Sequence, residues 1–287
     1  MTPPPSYGQL QVVLDSALAE PFCDWLRETF DREPVSLTPP HHPSSVVDLY
    51  FDTLADAQAA LRRLPEAPFP LASSRAFLCD ASRWTDFWRR HFRVTEIGRR
   101  LRTVPVWETP PPSDRIDILI DPGLSFGTGA HFTTRFCLEA LEYSASTLRP
   151  APSSLLDAGT GSGILSIAAL RLGFSEIDAF DYDPSCIEKS AENLALNSVP
   201  PDAIRFFHAD VLSYRPPRRY DVVCANILSS VLIEAATTLW SATARHLIVS
   251  GIRAYEGDAV SDVFCGRGAR ELLRDDDGEW CGLLFSR

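Results

Sequence analysis

The stretch LLDAGTGSGILSIAALRLG, residues 155–173, decides how the chain is read. Two leucines lead to an acid, Asp157. Glycines follow at 159, 161 and 163, and an apolar run with helical character begins at Ile164. A strand that turns through glycines into a helix builds a ligand site, because residues without a Cβ let the backbone come close to the ligand. Three glycine turns compete. A phosphate loop of the form G-x-x-x-x-G-K-[ST] needs a lysine, and this stretch has none. The dinucleotide fingerprint G-x-G-x-x-G would use Gly159 and Gly161 and needs glycine at 164, where Ile164 stands. The spacing that remains is D-x-G-x-G-x-G, from Asp157 to Gly163.

Around this stretch the chain alternates strand and helix. SSLLDAG, SEIDAFDYD, AIRFFHAD, YDVVCANIL and RHLIVSGI read as strands. GILSIAALRLG, PSCIEKSAENLALN, SSVLIEAATTLW and YEGDAVSDVFCGRG read as helices, with Pro184 in a first turn and Asn197 as a C-terminal cap. Such alternation implies a mostly parallel sheet covered on both faces. The closing segment ARELLRDDDGEWCGLLFSR reads as a hairpin turning at DDDG, which puts an antiparallel strand near one edge.

The first part of the chain has another rhythm. GQLQVVLDS, SSVVDLYFDT and FPLASSRAFLCD read as strands, ALAEPFCDWLRETF and LADAQAALRRL as helices. In the second helix Leu54, Ala57, Ala60, Leu61 and Leu64 share one face. This predicts a small α+β domain over residues 1–80, a linker region over 81–114 and a larger α/β domain over 115–287. Within the linker region ASRWTDFWRRHF reads as a helix with Trp84 and Trp88 on one face, packed on a neighbouring surface.

Composition limits the function. The 287 residues suffice for two domains, and a hydrophobic content of 45% supports a core. A net charge of -11 argues against nucleic-acid binding as the main activity. No apolar run is long enough to span a membrane, and no secretory signal is visible, so the expected compartment is the cytoplasm. The seven cysteines are scattered without a C-x-x-C pair, which predicts reduced thiols and neither zinc nor a disulfide framework. There is one lysine, Lys189, and only three asparagines.

The D-x-G-x-G-x-G spacing resembles motif I of the S-adenosylmethionine-dependent methyltransferases with a Rossmann-like fold. That ligand has no phosphate; it needs room for a sulfonium, partners for an amine and a carboxylate, and an acid for its ribose. Asp181 ends the second strand, 22 residues after Gly159, and is favoured for the ribose, with Asp183 as the alternative. Asp210, after the third strand, is placed for the adenine amino group. Three acids at the carboxyl ends of successive strands lie where open α/β sheets bind ligands.

Upstream, DPGLSFGTGAHFTTRFCLEALE turns through Gly127 and Gly129 into a helix that Thr133 and Thr134 can cap. With motif I, DYDP at 181–184, ANIL at 225–228 and VSGI at 249–252, it closely resembles the signature of the PrmA family, which methylates ribosomal protein L11. The resemblance runs from about residue 84 to the end and is loose before that. It implies a seven-stranded, mostly parallel Rossmann-like methyltransferase domain with a smaller N-terminal α+β domain that recognises the ribosomal protein. It implies S-adenosylmethionine as cofactor, contacted by Thr134, Gly159, Asp181 and Asn226; Phe126, Asp157, Gly161, Gly163 and Asp210 complete the expected cofactor site. It also implies transfer to lysine side chains and an N-terminal amine of ribosomal protein L11, by a monomer without direct nucleic-acid contact. Asn226, at the end of the fourth strand, is the catalytic candidate, since its amide oxygen accepts a hydrogen bond from an incoming amine. His131 is a candidate base or a structural residue of the turn. The rival readings are a methyltransferase of the same fold with another substrate, and a cofactor-binding module without turnover.

Overall fold

The computed structural model describes residues 6–30, 32, 34–37, 43–80, 93–121 and 131–287. The chain divides into two compact units, Met1–His91 and Phe92–Arg287. No described helix is long and apolar enough to cross a membrane.

The first unit is an antiparallel sheet with helices. Its strands are β1 (Ser6–Asp15), β2 (Val35–Leu37), β3 (Ser44–Phe51) and β4 (Leu71–Asp80), in the order β2-β3-β1-β4. Its helices are α1 (Ala19–Phe30) and α2 (Leu54–Arg63). Alternation sends Leu10, Val12, Leu14, Val47, Leu49 and Phe51 to one face, where they meet Phe22 and Leu26 of α1 and Ala57 and Ala60 of α2. Thr53 starts α2 by accepting the Asp56 N–H at 3.2 Å. The strands and helices expected here are present. The stretch 81–92, with Trp84 and Trp88, lies outside the described residues.

The second unit opens with a feature the sequence reading missed. Residues 81–114 were expected to link the domains, yet β5 (Thr95–Ile97) and β6 (Leu101–Pro105) lie within them and form a three-stranded sheet with β7 (Ile116–Ile120). β6 is buried at every position, so it shows no alternation to read. Then come α3 (Phe132–Thr147), β8 (Ser154–Ala158), α4 (Ile164–Leu172), β9 (Glu176–Asp181), α5 (Pro184–Leu196) and β10 (Arg205–His208). They are followed by β11 (Tyr220–Asn226), α6 (Ser229–Glu234), α7 (Ala236–Ala242), β12 (Thr243–Arg253), α8 (Gly257–Cys265), β13 (Arg270–Asp276) and β14 (Trp280–Ser286). The single helix read in SSVLIEAATTLW is two, which meet at Ala235, where ψ opens to −1°.

Seven strands form the main sheet in the order β10-β9-β8-β11-β12-β14-β13. The first five are parallel, and the closing hairpin adds β14 antiparallel to both β12 and β13. Successive side chains of each strand enter opposite cores. Leu155, Val222, Cys224 and Ile248 meet α3, α4 and the small sheet. Leu156, Val223, Leu247 and Val249 meet α6, α7 and α8. Strand order reverses between β8 and β11, and ligands of such sheets bind outside the carboxyl ends at that point.

α3 packs close to β14 because Gly282 has no side chain. A Cβ there would lie 2.2 Å from the Phe136 ring. Gly282→Ala should therefore destabilise the protein by about 1–3 kcal/mol through overpacking, lowering Tm by several degrees. Adding Phe136→Leu should recover part of that loss. Thermal unfolding of the single and double variants checks this; strictly additive losses would contradict it.

Candidate active site

The turn after β8 is built by hydrogen bonds to β9. The N–H groups of Gly159 and Thr160 both donate to the Phe180 carbonyl, at 2.9 and 3.0 Å. Gly159, Gly161 and Gly163 have φ of +81°, +55° and +80°, angles that strain residues with a Cβ. Gly159 also sits against the loop after β11: a Cβ there would lie 2.4 Å from Ile227 Cγ2. Gly163 then starts α4.

Asp157 lies beneath this turn, fully buried. Its Oδ2 accepts the Thr160 and Ser166 hydroxyls at 2.8 and 2.7 Å, while its Oδ1 has no hydrogen-bond partner. Burial pushes this carboxyl up to about 6, although the two hydroxyls oppose the shift. Thr160 and Ser166 were not singled out from sequence; the sign was a serine inside an otherwise apolar helix.

The other acids sit at strand ends as expected. Asp181 closes β9; its Oδ2 accepts the Gly161 N–H at 2.9 Å and its Oδ1 the Asp183 N–H at 3.0 Å. Asp183 is exposed and caps α5, accepting the Ser185 N–H at 2.8 Å. Between the two, Asp181 is the one joined to the glycine turn. Asp210 is exposed after β10 and accepts the Leu212 N–H at 2.9 Å.

Asn226 ends β11 beside the glycine turn. Cys224 of β11 pairs with Asp157 of β8, so Asn226 stands level with Gly159. Its Oδ1 is buried without a partner. Thr134 lies in the first turn of α3, almost fully buried, and its Oγ1 also lacks one. Thr133 and Thr134 do not cap α3, as the sequence reading allowed. His131 does, through its Nδ1, which faces the Thr133 N–H at 3.4 Å and the Thr133 Oγ1 at 2.8 Å. Burial lowers the His131 pKa, so at neutral pH the ring is an uncharged cap. Phe126 lies outside the described residues.

Among the described residues, four buried side-chain oxygens have no partner in the protein: Tyr214 Oη and, among the residues read as the cofactor site, Asp157 Oδ1, Thr134 Oγ1 and Asn226 Oδ1. Leaving such groups unpaired costs about 1–3 kcal/mol each. Of the last three, Thr134 Oγ1 is a hydroxyl and the other two are pure acceptors. A ligand that brings donors and positive charge satisfies them, and a pyrophosphate does not. S-adenosylmethionine, with its ammonium and sulfonium, fits this set of acceptors.

Comparison with known proteins agrees with this chemistry. The family model described as ribosomal protein L11 methyltransferase (PrmA) matches residues 9–287. The ribosomal protein L11 methyltransferase of Geobacter sulfurreducens is 37% identical over 84% of this chain and 82% of its own length. That of Trichlorobacter lovleyi is 38% identical over 98% of each chain. The crystal structure of ribosomal protein L11 methylase from Lactobacillus delbrueckii subsp. bulgaricus superposes with a TM-score of 0.62 at 31% identity, covering 68% of this chain and 99% of that one.

The buried acid makes stability depend on pH. Its pKa in the folded chain, about 6, lies above the unfolded value of 3.8, so its stabilising contribution is full below pH 3.8 and is lost as pH rises through 6. At about 1.4 kcal/mol per pKa unit, ionisation costs the ligand-free fold about 3 kcal/mol. Asp157→Asn removes that term. Urea unfolding without ligand should show its stability relative to wild type rising by about this amount between pH 4 and pH 7. A difference that stays flat across that range would contradict the account.

Proposed function

The chain belongs to the ribosomal protein L11 methyltransferase family, and on that premise we propose that it transfers methyl groups from S-adenosylmethionine to amino groups of ribosomal protein L11. The acceptors are lysine side chains and the N-terminal amine. The observation that carries this reading is the set of unpaired buried oxygens at the carboxyl ends of β8 and β11.

The cofactor supplies an electrophilic methyl group on a sulfonium, already activated for displacement. What is left for the protein is alignment. Asp181, tied to the Gly161 N–H, holds the ribose hydroxyls and keeps the glycine turn in register with β9. Asp157 and Thr134 receive the donors of the methionine end. Asp210 takes the adenine amino group. Asn226 Oδ1 accepts an N–H of the incoming amine and turns its lone pair toward the methyl group. A lysine amine has an ordinary pKa of about 10.4 and reacts only once it has lost its proton; a dry pocket favours the neutral form.

The Met1–His91 unit has its own core and none of the cofactor motifs. Its proposed role is to recognise the protein substrate. The proposed compartment is the cytoplasm, and the proposed state is a monomer.

Titration calorimetry should show binding of S-adenosylmethionine and none of NAD; heat from NAD alone would overturn the cofactor assignment. Mass spectrometry of ribosomal protein L11 incubated with enzyme and cofactor should show whole methyl increments. Cofactor binding with L11 left unmodified would favour a same-fold methyltransferase with another substrate.

Asp181→Ala should weaken cofactor binding about ten-fold or more, from the loss of a hydrogen bond worth roughly 1.5–3 kcal/mol. An unchanged dissociation constant would move the ribose role to Asp183. Asn226→Ala should lower kcat about 10²-fold through loss of alignment. A change in cofactor affinity with kcat intact would assign Asn226 to cofactor binding alone.

A further inference from the structure

α5 and its C-terminal cap present three polar side chains, four residues apart, to other elements, two of them to backbone and one to a carboxylate. They are Lys189, the chain's single lysine, and Asn193 and Asn197, two of its three asparagines. Asn197 Oδ1 accepts the Leu119 N–H at 2.9 Å, and its Nδ2 donates to the Leu119 carbonyl at 2.7 Å. The side-chain amide pairs with a peptide group as a neighbouring strand would, on the side of β7 away from β6. One turn back, Asn193 Oδ1 accepts the Asp121 N–H at 3.0 Å. Lys189 Nζ donates to Asp121 Oδ2 at 2.7 Å.

Asn193 does something Asn197 does not. Its Nδ2 donates to the Ser162 carbonyl at 2.8 Å, inside the glycine turn. The next residue of α5 toward its start that faces this turn, Ser190, donates its hydroxyl to the Gly161 carbonyl at 2.9 Å. Ser190 and Asn193 are both fully buried. The asparagine side chain offers a donor and an acceptor on one flat, uncharged amide. Asn193 spends its acceptor on the residue after β7 and its donor on the turn that Asp181 holds from the other side.

We infer that Asn193 is a positioning residue for the cofactor: with Ser190 it locks the 159–163 turn to the end of β7, so that the turn is set before the cofactor arrives. This rests on the S-adenosylmethionine reading given above. Asn197 is the internal control. It is also buried, caps the same helix and grips β7 two residues before Asp121, but does not touch the turn.

The test uses the full-length protein. Dissociation constants for S-adenosylmethionine are measured by calorimetry, and KM values for cofactor and for ribosomal protein L11 are measured separately, for Asn193→Ala, Asn193→Asp and Asn197→Ala. Both Asn193 variants should bind the cofactor roughly five- to thirty-fold more weakly and raise only the cofactor KM. Asn193→Asp keeps the acceptor for Asp121 and loses the donor to Ser162, so its defect isolates the turn contact. Asn197→Ala should lower Tm by a similar amount with cofactor affinity within about two-fold of wild type. Wild-type affinity in folded Asn193 variants, or an equal affinity loss in Asn197→Ala, would overturn the inference. Should the Asn193 variants fail to fold, Ser190→Ala decides: a several-fold weaker cofactor supports the inference and unchanged affinity overturns it. Failure of the wild-type protein to bind would instead sink the cofactor reading, and this inference with it.

Discussion

The chain leaves β8 by turning across the end of β9, and two successive N–H groups, those of Gly159 and Thr160, share the Phe180 carbonyl to hold that turn. Most of the site follows from this arrangement. The shared acceptor brings the next glycine under the Asp181 carboxylate. Beneath the turn the buried Asp157 keeps one oxygen for the hydroxyls of Thr160 and Ser166 and leaves the other unpaired. The turn leaves no space at Gly159 for anything larger than hydrogen, because the loop after β11 occupies it. The turn after β8, the end of β9 and the loop after β11 thus meet at a few backbone atoms.

The convergence explains what the sequence could and could not reveal. Local rules reached the strand, glycine turn and helix around Asp157, because glycine spacing and an apolar run are properties of neighbours in the chain. They pointed to Asp181, because an acid at a strand end stands where parallel sheets bind ligands; Asn226 was named through the resemblance to the PrmA family. Local rules did not reach β5 and β6, since strands of three and five residues, one buried throughout, have no period to detect. They named the wrong cap for α3, since threonine is a common cap and histidine is not. Asn193 stood out only as a rare residue, and Asn197 as a rare residue and a helix cap. Their partners lie 72 and 78 positions away, across a fold that local pattern does not describe.

An excess of unpaired acceptors suits a cationic ligand. A pocket for phosphate gathers backbone N–H groups and lysine or arginine side chains. Here the N–H of Gly161 is already taken by a carboxylate. The chain's one lysine is engaged with Asp121 and Glu192. Oxygen atoms remain. The same first-order architecture, a strand and helix joined by glycines, therefore serves opposite ligand charges according to which groups the surrounding loops leave unpaired.

The seven-stranded sheet ends on β10 and β13, and both edges are charged. β13 carries Arg270, Glu271, Arg274, Asp275 and Asp276 along seven residues, with Arg274 held by Glu271 and Asp258. β10 has four residues, and its Arg205 pairs with Asp178 on the neighbouring strand. An open edge is a template for another chain, and short length and charge are the usual defences. Adding a strand at either edge of this sheet would bury ionic groups that water now solvates. The apolar middle of the sheet is thus guarded at its margins against stacking into a continuous ribbon, the aggregation to which buried parallel strands are most exposed while they assemble.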